Sequence, residues 1–222
     1  MTTAMTAAPS APAIRRPASG YRALLGWLLT TTAFVSISAL FAFAHWQYWR
    51  RTGDPKGFSF AFEELVVVAV AVARRRPSEV SYRVSDWLIA LLGTFSALML
   101  RPGGDAVLGL TGCWVAIQVV GGAAAIICLA RLGRSFGVVA ADRGVKHTGP
   151  YGWVRHPLYA SYFVAMTGYL LAAPTWWNGA VFLVALGSQL RRIAAEESVL
   201  GRGEAYREYM SVVRWRLIPG VF

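Results

Sequence analysis

Six apolar segments recur along the 222 residues and dominate what the chain can fold into. They are residues 24–44, 60–73, 86–100, 107–130, 158–173 and 179–190. A helix needs about 20 mostly apolar residues to span a bilayer, and somewhat fewer where flanking side chains snorkel. Only 15% of the residues are charged, against about a quarter in soluble domains. The pattern predicts an all-α, polytopic transmembrane bundle of about six helices, with five as the alternative because several segments are short.

The first 20 residues are rich in Ala, Thr and Pro and lack periodicity, which predicts a disordered cytosolic tail. Ala42-Phe43-Ala44 has the small-residue pattern of a signal-peptidase site. The preceding apolar run, however, exceeds the roughly 7–15 residues of a secretory h-region. We therefore expect a retained first transmembrane helix and a group of N-terminal transmembrane helices over residues 21–131.

Basic residues predict which side of the membrane each connection occupies. The arginine-rich stretches, expected in the cytosol together with both termini, are residues 74–83, 131–155 and 191–216. The connections with a single basic residue between them, expected outside, are residues 101–106 and 174–178. Arg50, Arg51 and Lys56 oppose this orientation, so the direction of the first helix stays open.

The net charge of +11 does not indicate nucleic-acid binding. Arg and Lys lie mainly at the ends of apolar segments, where they orient helices against anionic lipid. Cys113 and Cys128 lie about 22 Å apart if they share one helix, too far for a disulfide. No Cys/His cluster predicts a metal site. The expected partner is thus the lipid bilayer, with neither nucleic acid nor metal.

Residues 132–162 are too polar and glycine-rich to span a bilayer. Gly149-Pro150 makes a turn, and Pro157 fits the first position of the next helix, where its missing N–H costs nothing. Free N–H groups at that helix end, beside Arg155 and His156, suit a carboxylate or phosphate. An isolated Arg-His pair would more often only anchor a helix at the headgroups, but this longer pattern favours a site.

Two further polar segments follow. In QLRRIAAEESVL, Arg192 and Glu196 can pair on one helix face, with Glu197 about 100° further round. Acidic residues at a membrane helix end are costly unless they face the bundle or water. A solvated helix end with a surface ion pair is a nearly equal alternative. In GEAYREY, residues 203–209, aromatic and charged residues alternate, which predicts a C-terminal interfacial helix.

These three segments resemble the isoprenylcysteine carboxyl methyltransferase family and its phospholipid methyltransferase relatives. The matching motifs are GPYGWVRHPLY, then R-x-x-x-E-E at residues 192–197, then G-E-x-Y-x-E-Y and a terminal Ile-Pro. Three motifs in order over roughly the last two-fifths of the chain make the resemblance specific. It implies a cytosol-facing site for S-adenosylmethionine and a cofactor-binding catalytic region over residues 132–222, including the last two transmembrane helices.

The resemblance also implies roles for single residues. Those expected on the cofactor side are Gly149, Tyr151, Arg155, His156, Pro157, Tyr159 and Glu197, the last at the ribose hydroxyls or the amino group. Arg192 and Glu196 are expected near the reacting group of the substrate, as catalytic residues. The family commonly has Gly where this chain has Ser161, which predicts an altered pocket wall with binding retained.

Two alternatives compete with a methyltransferase. A membrane sterol-type NADPH reductase resembles R-H-P-N-Y-x-G-E at the same place, but the Asn, Gly and Glu are absent here. A haem-binding or transport protein needs buried ligands or charges, and His45, His147 and His156 fall at helix ends or in a loop. We expect a lipid or small hydrophobic acceptor, methylated at a carboxylate, amine or thiol, in a bacterial inner membrane.

Overall fold

The computed structural model describes residues 14–15, 21–73, 79–81, 84–101, 104–135, 141–142 and 145–222. Seven α-helices occur in these residues: α1 (Tyr21–Thr52), α2 (Pro55–Ala73), α3 (Val84–Phe95), α4 (Thr111–Leu132), α5 (Pro157–Ala172), α6 (Trp176–Leu200) and α7 (Glu204–Val212). Short 3₁₀ turns precede or follow them at Ser96–Met99, Val107–Gly109, Gly133–Ser135 and Gly149–Gly152. Three very short strands complete the structure: β1 (Ile14–Arg15), β2 (Glu79–Ser81) and β3 (Ala141–Asp142).

The predicted all-α transmembrane bundle is confirmed. Each predicted apolar segment falls on an α-helix or on the 3₁₀ turn that adjoins it. In the described part of the chain, Trp27–Thr52 and Thr111–Leu132 are long and apolar enough to cross a membrane, judged by length and composition alone. Large apolar side chains such as Leu40 and Val120 are about two-thirds exposed on the helix surfaces, as expected where lipid replaces water.

The contact between α4 and α5 is the most extensive helix pairing in the bundle. It is close because glycine lies at the crossing: a Cβ added at Gly168 would stand 2.5 Å from the backbone N of Gln118 and 2.7 Å from the carbonyl O of Trp114. Small residues let membrane helices approach in this way, since apolar burial does not drive association within lipid. This pairing fixes α5, whose N-terminal end carries the polar loop.

The three short strands show which connections share one end of the bundle. β2 pairs with both β1 and β3 in antiparallel register, so the N-terminal segment, the α2–α3 connection and the α4–α5 connection meet there. We call this the strand end. The all-α prediction did not include this ribbon. Of the predicted disordered tail, residues 14–15 lie in a strand, and its other residues lie outside the described ones.

The opposite end is closed by one buried amide. Asn178, fully buried at the start of α6, accepts from the backbone N–H of Arg101 at 3.0 Å and donates to the carbonyl oxygens of Arg101 and Ala173 at 2.8 Å. The two connections predicted to share the outer side therefore do lie together. They are separated from the strand end by the length of α6.

Candidate cofactor and substrate site

The candidate site lies at the strand end, where the polar loop enters α5. Gly149 has a φ of +63°, a conformation that glycine adopts without steric cost, and it starts the 3₁₀ turn that carries Tyr151. Pro157 occupies the first turn of α5, as predicted, and His156 stands at the N-cap position. The loop thus delivers Arg155, His156 and Tyr159 to one place.

The C-terminal segment after α7, residues 213–216, holds this loop in position. The backbone N–H groups of Arg155 and His156 donate to the carbonyl oxygens of Trp215 and Arg216, each at 2.8 Å. The Arg155 guanidinium donates further to the carbonyl oxygens of Val213 and Arg214, at 3.0 and 2.8 Å. Backbone and side-chain hydrogen bonds therefore join the entrance of α5 to the segment after α7.

Glu197 is the centre of an ion cluster. Its Oε1 accepts from Arg155 Nε at 2.9 Å and lies 3.2 Å from His156 Nε2, while Oε2 accepts from Arg216 Nε at 2.9 Å and lies 2.8 Å from Arg216 Nη2. Arg155, His156 and Glu197 are nearly buried, whereas the Arg216 side chain is 41% exposed. The cluster ties the end of α6 to the start of α5 and to the C-terminal segment.

The carboxyl of Glu197 lies beyond the predicted membrane-spanning part of α6, which ends at residue 190. Burial on its own raises the pKa of this carboxyl, but hydrogen bonds from His156, Arg216 and Arg155 and the charge of His156 outweigh it and lower the pKa from 4.5 to about 2. Glu197 is therefore ionised at any physiological pH. An anion that accepts several charge-assisted hydrogen bonds behaves in this way.

A second group of polar side chains lies beside the ion cluster. The hydroxyl of Tyr159 donates to Glu196 Oε1, and Arg192 Nε stands 3.8 Å from the same oxygen. The guanidinium carbon of Arg192 lies 5.1 Å from the centre of the Tyr159 ring, and that ring stacks on His156 at 5.7 Å. The predicted Arg192–Glu196 pair therefore exists, and Tyr159 links it to His156.

Arg192 is fixed from the other side by α3. Its Nη1 donates to Thr94 Oγ1 at 3.2 Å and to Gln189 Oε1 at 3.3 Å. Gln189 in turn donates to the carbonyl oxygen of Gly93 at 3.0 Å. A side chain at residue 93 would crowd this amide, because its Cβ would lie 3.1 Å from Gln189 Oε1. The N-terminal helices thus help to orient a predicted catalytic side chain.

The structure brings most of the predicted site residues into one neighbourhood. The contacting set is Arg155, His156, Tyr159, Arg192, Glu196 and Glu197, with Pro157 between them. Tyr151 is buried close by, and its backbone oxygen accepts from Tyr209 at 2.7 Å. Gly149 is exposed and contributes the turn. The binding and catalytic roles of these residues stay predictions.

Sequence reasoning missed four residues of this neighbourhood: Arg216, Tyr206, Thr94 and Gln189. Arg216 lies nineteen positions after Glu197, so no helical spacing links the two. Thr94 and Gln189 lie in apolar segments, where a lone polar residue was a usable signal that went unused. Tyr206 belongs to the G-E-x-Y-x-E-Y motif, which predicted an interfacial helix and contributed to the family resemblance but yielded no site residue.

Ser161, the departure from the family pattern, faces α4. Its hydroxyl donates to the carbonyl oxygen of Pro157 at 2.8 Å and lies 3.9 Å from Cys128 Sγ. The side chain is buried between the two helices. The extra hydroxymethyl therefore fills helix–helix contact and satisfies its own polar atom within α5.

The chemistry of this neighbourhood fits S-adenosylmethionine, a molecule with a carboxylate, an ammonium, ribose hydroxyls and a sulfonium. Two carboxylates lie among the basic side chains of Arg155, His156 and Arg192. Two buried hydroxyls, those of Tyr151 and Tyr206, have no hydrogen-bond partner among the described residues. Unpartnered buried polar groups are rare and call for an explanation. A bound polar molecule supplies one.

Comparisons with known proteins agree on one family. Residues 114–202 match the sequence model of the isoprenylcysteine carboxyl methyltransferase (ICMT) family. The fold is similar to the solved structure of a eukaryotic intramembrane Ras methyltransferase, ICMT, with a TM-score of 0.50 and 18% identity over 86% of this chain and 75% of that one. No curated protein matches the chain.

The helical bundle and the matched region together define a polytopic membrane methyltransferase. Residues 114–202 of the chain are similar to the isoprenylcysteine carboxyl methyltransferase family, whose members take the methyl group from S-adenosylmethionine. The matched residues run from the first turn of α4 across the polar loop and α5 to the turn after α6, and so contain Arg155, His156, Arg192, Glu196 and Glu197.

Proposed function

We propose that this chain binds S-adenosylmethionine at the strand end of the bundle and transfers its methyl group to a lipid or small hydrophobic acceptor. The observation that carries the proposal is the contact between His156, from the loop before α5, and Glu197, from the end of α6, at 3.2 Å. Two motifs separated by some forty residues meet there, as a single binding site requires.

The donor side of the site is proposed to consist of Gly149, Tyr151, Arg155, His156, Pro157, Tyr159 and Glu197. The expected contact of Glu197 with the ribose hydroxyls or amino group of the donor is revised, because both of its oxygens already accept from the guanidinium groups of Arg155 and Arg216. Its main contribution is to hold Arg155 and His156 in place at the N-terminal end of α5. Free N–H groups at that helix end suit the carboxylate of the donor.

The acceptor side is proposed to contain Arg192 and Glu196. In the reaction, the nucleophile forms a bond to the methyl carbon while the carbon–sulfur bond breaks and its electron pair stays on sulfur. Holding the two reacting atoms in line at about 3–3.5 Å can lower the barrier by several kcal/mol. Arg192, held by Thr94 and Gln189, is placed to pair with a carboxylate acceptor.

The proton balance depends on the acceptor. A carboxylate or thiolate has no proton to lose and becomes an ester or thioether directly. An amine releases a proton, and Glu196 is the candidate acceptor because it is ionisable and partly accessible, with 18% of its side chain exposed. The apolar surfaces of the helices offer a lipid acceptor a sideways entry from the bilayer, which we propose is a bacterial inner membrane with the site facing the cytosol.

The test is a methyl-transfer assay on the purified full-length protein in detergent or nanodiscs. Radiolabelled S-adenosylmethionine is incubated with a bacterial membrane lipid extract, and the label is followed into lipid, thiol and peptide fractions. We expect label in the lipid fraction that depends on active protein. Protein denatured by heat and the Arg192→Ala variant serve as controls. The proposal fails if no fraction is labelled and calorimetry detects no binding of S-adenosylhomocysteine.

A further inference from the structure

The hydroxyl of Tyr206 is a buried polar group to which the site described above assigns no role. Tyr206 lies on α7 and is 4% exposed, yet its hydroxyl has no hydrogen-bond partner among the described residues. Phe would fill the same space without leaving a buried donor unpaired. A tyrosine at this position therefore suggests that the hydroxyl meets something other than the protein.

Tyr209, one turn later on α7, shows what a structural tyrosine looks like here. The two rings lie 5.6 Å apart, and both residues are buried. The Tyr209 hydroxyl donates to the carbonyl oxygen of Tyr151 at 2.7 Å and so ties α7 to the loop before α5. Because Tyr209 already makes this connection, the hydroxyl of Tyr206 is not needed for it.

The surroundings of Tyr206 belong to the candidate site. Burial raises the pKa of its phenol, the charges of Glu197 and Glu196 raise it further, and the charge of Arg155 lowers it. The phenol is therefore neutral and remains a hydrogen-bond donor. Its charged neighbours have other partners: Glu197 accepts from Arg155 and Arg216, and Glu196 accepts from Tyr159.

We propose that the Tyr206 hydroxyl donates a hydrogen bond to an oxygen of the bound methyl donor, either a ribose hydroxyl or the carboxylate. This inference rests on the proposed function and adds a residue of α7 to the donor side. It also gives α7 a role beyond lying at the membrane surface: the helix covers the donor and donates a hydrogen bond to one of its oxygens. Binding of the donor and docking of α7 are then coupled.

The experiment compares Tyr206→Phe with Tyr209→Phe in the full-length protein. Calorimetry measures the Kd of S-adenosylhomocysteine, and thermal unfolding measures the Tm without ligand. We expect Tyr206→Phe to weaken binding by about 3–10-fold, the effect of losing one hydrogen bond, while its Tm stays at or above that of the wild type. We expect Tyr209→Phe to lower the Tm, because the Tyr151 carbonyl loses its donor.

A second ligand identifies the oxygen. Methylthioadenosine keeps the ribose and lacks the amino-acid portion, so a ribose contact makes Tyr206→Phe weaken both ligands, and a carboxylate contact makes it weaken S-adenosylhomocysteine alone. The inference is overturned if Tyr206→Phe binds S-adenosylhomocysteine with the wild-type Kd, or if its Tm falls as far as that of Tyr209→Phe. Absence of binding by the wild type overturns the proposed function itself, and this inference with it.

Discussion

The helices before residue 100 and those after residue 110 differ in the side chains that determine their structure. On α1, large apolar side chains such as Leu29, Leu40 and Phe43 are more than half exposed, which suits a lipid-facing surface. The region from α4 to α7 carries the ion cluster on Glu197 and the polar group around Glu196. The first region therefore depends on hydrophobic length, and the second on specific contacts.

The two regions are nevertheless joined at one point of the site. Thr94 and the carbonyl oxygen of Gly93, both on α3, complete the hydrogen bonds of Arg192 and Gln189 on α6. The N-terminal helices lie outside the residues that match the family model. A family site can thus be oriented by a part of the chain in which no family motif is visible, provided that the packing supplies a few polar atoms.

The largest expected effect comes from removing the charge at the centre of the C-terminal region. Glu197→Gln leaves Arg155, His156 and Arg216 without their common anion, and breaking a buried ion pair costs about 3–5 kcal/mol. We expect the affinity for S-adenosylhomocysteine to fall by at least 100-fold, measured by calorimetry. Glu208→Gln, on the exposed face of α7, is the matched control and should bind as the wild type does. Equal affinities for the two variants would remove Glu197 from the site.

The next effect tests the junction between the regions. Arg192→Lys keeps the charge but loses the planar group that reaches Thr94, Gln189 and the Tyr159 ring. We expect methyl transfer to the lipid fraction to fall by about 10-fold or more, because a misplaced side chain forfeits alignment in the transition state. Its exposed neighbour provides the control: Arg191→Lys should retain activity. If both variants stay active, the link to α3 has no part in the reaction.

How far sequence reasoning reached follows the same division. The apolar segments could be predicted because a bilayer sets a minimum length for a helix, and this constraint needs no knowledge of packing. The pairing of Arg192 with Glu196 could be predicted from helical spacing. The Arg216–Glu197 contact could not be predicted, since it depends on the C-terminal segment returning beside Arg155 and His156. The short strands could not be predicted either, because strands of two or three residues show no periodicity in the sequence.

A third prediction concerns packing between α4 and α5 in the C-terminal region. Gly168→Ala places a Cβ 2.5 Å from the backbone N of Gln118, which forces the helices apart at a cost of about 1–3 kcal/mol. We expect a lower Tm in detergent. On α6, a Cβ at Gly187 meets nothing within 4 Å, so Gly187→Ala should hold or raise the Tm through helix propensity. An unchanged Tm for Gly168→Ala would contradict the close approach described here.

The fourth prediction uses pH to isolate the ion cluster. The pKa of Glu197 is lowered in the folded protein to about 2, so the unfolded chain binds this proton more readily than the folded chain. The stabilisation is present in full above the unfolded value of 4.5 and is lost as the pH falls towards 2. We expect the Tm difference between wild type and Glu197→Gln to shrink from pH 7 to pH 3.5. A difference that grows on acidification would reverse the sign of the argument.

The smallest effect is expected at Ser161, where this chain departs from the pattern of the family that it resembles. The side chain packs on Cys128 and bonds within its own helix, away from the ion cluster. Ser161→Gly should therefore leave the affinity for S-adenosylhomocysteine within about twofold, and lower the Tm slightly through the roughly 0.5 kcal/mol by which glycine disfavours a helix relative to serine. Ser161→Ala separates the loss of the hydroxyl from the change in backbone freedom. A tenfold change in affinity with either variant would mean that the α4–α5 contact, and not only the polar loop, shapes the donor side of the site.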